Sequence, residues 1–248
     1  MATHRCVVAA SPKPRCARAS LSRTAWKSGL SGWQAVRSGE GRRARPSPRR
    51  RRPGGRGDES MLTRIGGTAA PGDAVDLLLE CHVRIRSFLA LARRIAEAGE
   101  ADEGGVAEAA ERVRRYFTQA LPLHARDEED SILPRLRGRE PAVDAALDEM
   151  TREHADHEAP LAVLVGACEE LSRAPRCLAA LAPVVARATG ELEQHFAAHL
   201  EREEQVIFPA MRRLFDRATD EALVREIRAR RGVVPPPEPL ASPGAGGP

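Results

Sequence analysis

Residues 124–134 read His-Ala-Arg-Asp-Glu-Glu-Asp-Ser-Ile-Leu-Pro, and residues 199–209 read His-Leu-Glu-Arg-Glu-Glu-Gln-Val-Ile-Phe-Pro. Both have the form H-x-x-x-E-E-x-x-I-[LF]-P. A His and a Glu four residues apart share one face of a helix, a turn from each other. Such a pair can grip one cation from a single rigid element. Each copy is also preceded by a further His, in Glu80-Cys81-His82 and in Glu153-His154. His82 and His124 are 42 residues apart, His154 and His199 45. The repeating unit is therefore a helical hairpin with one His on its first helix and H-x-x-x-E on its second, and the chain holds two of them.

Apolar periodicity supplies the helices. Asp73, after Pro71-Gly72, is a good N-cap for a first helix over 74–98, whose stripe of Val75, Leu78, Leu79, Ile85 and Leu89 contains His82. A second helix over 106–136 places Val113, Phe117, Ala120, Leu121, His124, Glu128 and Ile132 on one face. A third, over 142–173, carries Leu147, Met150, Thr151, His154, Glu158, Leu161 and Val165. The fourth, over 177–215, carries Val185, Leu192, Phe196, His199, Glu203, Val206 and Ile207, and a short fifth follows over 219–231. Pro122 and Pro134 predict a kink or break near each. No stretch alternates in the manner of a strand. The expected architecture is all-α, an antiparallel up-down-up-down four-helix bundle over residues 61–216. Residues 217–248 are expected to hold the short helix and a Pro/Gly-rich disordered end.

Charge divides the chain at residue 60. Residues 1–60 hold 15 Lys or Arg against three acids, so the +4 of the whole chain conceals −8 over residues 61–248. The basic stretch reads as a disordered tail: a targeting leader, a basic arm for nucleic acid or acidic surfaces, or an upstream extension of a chain starting at Met61. The alkaline character belongs to this tail, so the bundle itself is not expected to bind nucleic acid. No apolar run is long enough to span a membrane, and the absence of C-x-x-C pairs argues against a thiolate metal site. A cytoplasmic protein is expected, with oligomeric state unspecified.

Each of the four helices thus places a His in its apolar stripe, and two add a Glu. A buried carboxylate without a cationic partner is costly, and no Arg or Lys lies in these stripes. Imidazole and carboxylate without thiolate suit iron, manganese or zinc, and carboxylates shared within a bundle suit a pair of iron or manganese ions. The neighbours carry less. His157 is either a relay beside the site or a solvent-facing residue; His195, one turn before His199, can line a pocket; Glu129 and Glu204 point about 100° away from the stripe and read as solvated. Glu80 and Glu153 read either as acceptors of a hydrogen bond behind the site histidines or as surface charge, and Cys81 as packing.

The pattern His82, His124-x-x-x-Glu128, His154, His199-x-x-x-Glu203 resembles the hemerythrin-like, or HHE cation-binding, family over residues 73–215. The resemblance implies two irons joined by an oxygen bridge and two carboxylates. On it, His82 and His124 would serve one iron and His154 and His199 the other, with Glu128 and Glu203 bridging. Oxygen-carrying members have a His where this chain has Glu158, which can take a remaining position, and an Asp where it offers Glu203 and Glu204. Both departures point away from reversible oxygen carriage. The resemblance then implies a non-haem di-iron protein that meets oxygen, peroxide or nitric oxide in stress defence or iron handling. Turnover in a catalase-like, peroxidase-like or oxidase manner is one form, and sensing without turnover the other.

Overall fold

The computed structural model describes residues 72–99 and 103–233, and among these residues the chain is helical with no strand. The first rod is α1, Ala74–Glu97, capped as expected by Asp73, whose carboxylate accepts the Asp76 amide at 2.9 Å. The second rod joins α2, Glu103–Arg115, α3, Leu121–Arg126, and α4, Leu133–Leu136, through π-helical turns at Tyr116–Ala120 and Asp127–Ile132. The third is α5, Pro141–Arg173. The fourth joins α6, Leu178–Arg202, to α7, Phe208–Leu214, through a π turn at Glu203–Ile207. A last helix, α8, spans Arg217–Arg230. Helix α1 packs on α2 and α6, and α5 packs on the same two, so each rod has two neighbours.

The prolines do not interrupt the second and fourth rods. Proline has no amide hydrogen, and its ring crowds the preceding turn. Before Pro122, Pro134 and Pro209 the preceding residue instead reaches back five positions: Leu121 to the Tyr116 carbonyl, Leu133 to Glu128 and Phe208 to Glu203. Each of these three prolines thus follows a π turn that widens the coil locally. Two of these turns hold a glutamate of the repeated motif.

Two apolar clusters fill the interior. One gathers Ile85, Leu89, Val113, Phe117, Leu161, Leu164, Val185 and Leu192 among others, and the second gathers Val75, Leu78, Ile132, Leu147, Met150, Ile207 and Phe208. The four stripe histidines fall between these groups along their helices. Helix α8 closes the second cluster with Leu223 and Ile227, both wholly buried.

On α5 the buried stripe differs from the expected one. Val143, Leu147, Met150, His157, Leu161, Leu164, Cys168 and Leu171 are buried, while Thr151 is exposed and Glu158 and Val165 only partly covered. These steps alternate between three and four residues, with His154 in the same series. That is the 3.5-residue period of closely packed helices, from which a straight 3.6-residue count drifts by about 20° every two turns.

Gly138, in the turn between the second and third rods, has φ +79°. Its amide donates to Asp144 at 2.8 Å. A side chain meets no obstacle there, so backbone strain alone decides the cost. Gly138→Ala is expected to lose about 1–2 kcal/mol, read as a lower urea midpoint at constant m-value. An unchanged midpoint would contradict it.

Candidate metal centre

His82 from α1, His124 from α3, Glu128 and Glu203 from two π turns, His154 from α5 and His199 from α6 meet in the interior. Two groups form. His82, His124, Glu128 and Glu203 bring one ligand atom each within 4.8 Å of one another, and so do Glu128, His154, His199 and Glu203. The two carboxylates belong to both. His82 Nε2 lies 3.0 Å from Glu203 and His124 Nε2 3.0 Å from Glu128. His154 Nε2 lies 3.2 Å from Glu128 and His199 Nε2 3.2 Å from Glu203. All four imidazoles therefore turn the same nitrogen toward the carboxylates.

The opposite nitrogens are held from outside. His82 Nδ1 meets Glu204 at 2.8 Å, His154 Nδ1 meets Glu129 at 2.7 Å, and His199 Nδ1 meets Glu153 at 3.0 Å. An ionised carboxylate only accepts, so in these three rings Nδ1 donates, and a neutral ring then carries its lone pair on Nε2. The second glutamate of each H-x-x-x-E-E motif, which reads as solvated in sequence, thus reaches across to the histidine of a neighbouring rod. Glu153 has the same task and also holds Arg202. Finding these partners needs the helix neighbours, which the sequence does not print.

Lone pairs facing carboxylate oxygens do not attract. Both oxygens of Glu128, both of Glu203 and His82 Nε2 are buried without a hydrogen bond. Buried polar atoms in native proteins are almost always satisfied, and a cation in the middle satisfies all of these at once. Protons are the only other remedy. Burial opposes charge on Glu128, yet the His124 and His154 imidazoles hold its carboxyl well below the usual range. Burial likewise opposes protonation of His154, but Glu128 and Glu129 raise it to about 10. The donor set is four imidazoles and two carboxylates, which fits iron, manganese or zinc.

Glu158 is partly covered and belongs to neither group. His157 takes the inward place, 3 % exposed, stacked on Phe196 with centroids 4.2 Å apart and edge-on to His199 at 5.1 Å. Its ring also lies 5.8 Å from that of His195, and both His157 Nε2 and His195 Nδ1 are buried without a hydrogen bond. These two rings line one side of the centre; neither joins the four-atom groups.

Burial, then the neighbouring His199, His154 and His195, push the His157 pKa down to about 3. The unfolded chain protonates this ring at about 6.5. Below that pH the unfolded state binds the extra proton, so the stability that neutral His157 contributes declines as pH falls from about 6.5 to about 3. In the metal-free protein, His157→Gln is expected to flatten this part of the stability–pH profile, measured by urea melts. An identical acid limb in both proteins would refute the assignment.

A helical protein whose interior polar layer is four inward histidines sharing two glutamates is a cation-binding helical protein. The hemerythrin HHE cation-binding domain family model matches residues 73–210, and the chain belongs to that family. No curated protein and no solved structure matches the chain. Among the described residues, no helix is long and apolar enough to cross a membrane. The basic residues 1–60 lie outside the described residues.

Proposed function

We propose that the protein is an antiparallel four-helix bundle holding two iron ions, one by His82 and His124 and the other by His154 and His199, with Glu128 and Glu203 shared. The observation that carries this reading is the pair of overlapping groups, each with two imidazoles and the same two carboxylates. Manganese fits the same donors, and zinc fits them without redox chemistry. Iron there supplies a redox-active Lewis acid able to meet oxygen, peroxide or nitric oxide.

The chain's own residues set the terms of that chemistry. Glu204, Glu129 and Glu153 orient three imidazoles and make them stronger donors. Apolar clusters on both sides keep bulk water away. His157 puts a neutral ring beside His154 and His199, whereas Phe208 lies 5.1 Å from the His82 ring. A small polar ligand is therefore best received beside His154 and His199. Four imidazoles and two shared carboxylates would fill about eight of the roughly twelve places on two six-coordinate metals, which leaves room for such a ligand. This supports a role in oxidative or nitrosative stress or iron handling, in a cytoplasmic setting. Sensing without turnover is the second reading, favoured by Arg230 at the end of α8 and Arg231 just after it, which grip Asp127 beside Glu128.

Metal content and visible absorption of the aerobically purified full chain test the proposal. Two irons per chain, with near-ultraviolet bands altered by peroxide, are expected. Absence of metal after anaerobic iron reconstitution would refute it. Metal-dependent gas evolution from peroxide would then select turnover over sensing.

A further inference from the structure

Two buried nitrogens beside the metal layer belong to no ligand group. They are His157 Nε2 and His195 Nδ1, and neither has a hydrogen-bond partner among the described residues. Their rings come from neighbouring rods, α5 and α6, with centroids 5.8 Å apart. His157 is 3 % exposed, stacked on Phe196 and edge-on to His199 at 5.1 Å. His195 is only half-buried. Three imidazoles thus step inward from the surface: His195, then His157, then the ligand His199.

Two orphaned nitrogens on adjacent rings can be satisfied by bonding each other, by a cation or by a small molecule. They do not bond each other. A cation would find no carboxylate, since the groups able to hold metal rely on Glu128 and Glu203 and include neither ring. The charge of the adjacent centre would also repel it. A small neutral molecule remains, in the manner of buried water. Each nitrogen of a neutral imidazole is either a donor or a lone pair, so the molecule has to be able to both donate and accept. Water and hydrogen peroxide can do both, whereas dioxygen and nitric oxide have no hydrogen to give.

We propose that His157 and His195 together bind a water-sized protic molecule and form the port by which hydrogen peroxide, in preference to dioxygen or nitric oxide, reaches the metal layer. The inference rests on the two-iron reading above and names the substrate class of that site. Water fills the port at rest, and peroxide replaces it because it reproduces the same hydrogen bonds. Both histidines act on the entering molecule by hydrogen bonding and not as metal ligands.

The first test needs no metal. In the metal-free full chain with isotopically labelled histidine, the carbon-bound ring protons of His157 should show a nuclear Overhauser effect from a long-lived water. His195→Phe, which keeps a ring and removes its nitrogens, should abolish that effect. The second test follows the visible bands of the iron-loaded chain, with metal content measured, after mixing with peroxide or with nitric oxide. His195→Phe and His157→Leu should each slow the peroxide reaction about tenfold, the loss expected for one missing hydrogen bond to the entering molecule. The reaction with nitric oxide should not slow. If one variant fails to fold, the other decides. No long-lived water in the unaltered protein, an unslowed peroxide reaction, or equal slowing with both molecules would overturn the proposal. Failure of the unaltered chain to take up iron would instead sink the two-iron reading, and the water measurement would still decide whether the pair holds a molecule.

Discussion

If the centre holds two irons as proposed, Glu203→Ala is expected to cost at least one of the two metal equivalents. One carboxylate oxygen of Glu203 lies 3.0 Å from His82 Nε2 and the other 3.2 Å from His199 Nε2, so one side chain serves both groups. An alanine there removes an anionic donor from each and leaves two imidazoles and one carboxylate per position. His124→Ala, which touches one group alone, should remove most of one equivalent and spare the other. Metal analysis after desalting, with circular dichroism to confirm folding, distinguishes the two. Two metals retained in both folded variants would refute the shared-carboxylate reading.

Asp127→Ala is expected to carry the largest stability cost. The carboxylate is wholly buried, with Arg230 Nη1 at 2.7 Å and Arg231 Nη2 at 2.6 Å. Burial pushes the Asp127 carboxyl up and both guanidiniums pull against that, so the three groups depend on one another. Removing the anion leaves Arg231 buried without its partner, which costs about 3–5 kcal/mol. Thermal melts should show a fall of roughly 2–4 °C for each kcal/mol in a chain of this size. Hydrogen exchange across 217–230 should rise at the same time, because Arg230 also ties α8 to Ser131 at 2.5 Å. A melting point within one degree of the parent would mean that α8 is held by Leu223 and Ile227 alone.

The inward half of the centre was legible in the sequence because its signal is local. His124 with Glu128 and His199 with Glu203 are one turn apart on their own helices, and the apolar stripes told which way they face. The outer half depends on partners about 25 to 122 residues distant, such as His154 with Glu129 and His82 with Glu204. Their glutamates look like any solvated acid until the neighbouring rod is known. On α5 the difference was one of step: after His154 the stripe read from sequence takes the position four residues on, Glu158, and the packed one takes the position three residues on, His157. Asp127 was hidden in the run Asp127-Glu128-Glu129-Asp130, where only burial separates a clamped acid from a surface one. Arg230 and Arg231 sit at a helix end, where cations commonly meet the local dipole, and nothing in that pattern shows that they turn inward.

The π turns at Asp127–Ile132 and Glu203–Ile207 give the motif a second meaning. Each holds one residue more than an α-helix of the same hydrogen-bonded span. Deleting that residue would relax the coil, but everything beyond it would swing by about 100° relative to the histidine. Ile132 and Leu136, or Ile207 and Met211, would then leave the second apolar cluster. The interval from histidine to proline is thus an indivisible length. Side chains can be exchanged along it, but the chain cannot be shortened there without uncoupling the metal layer from the core beneath it.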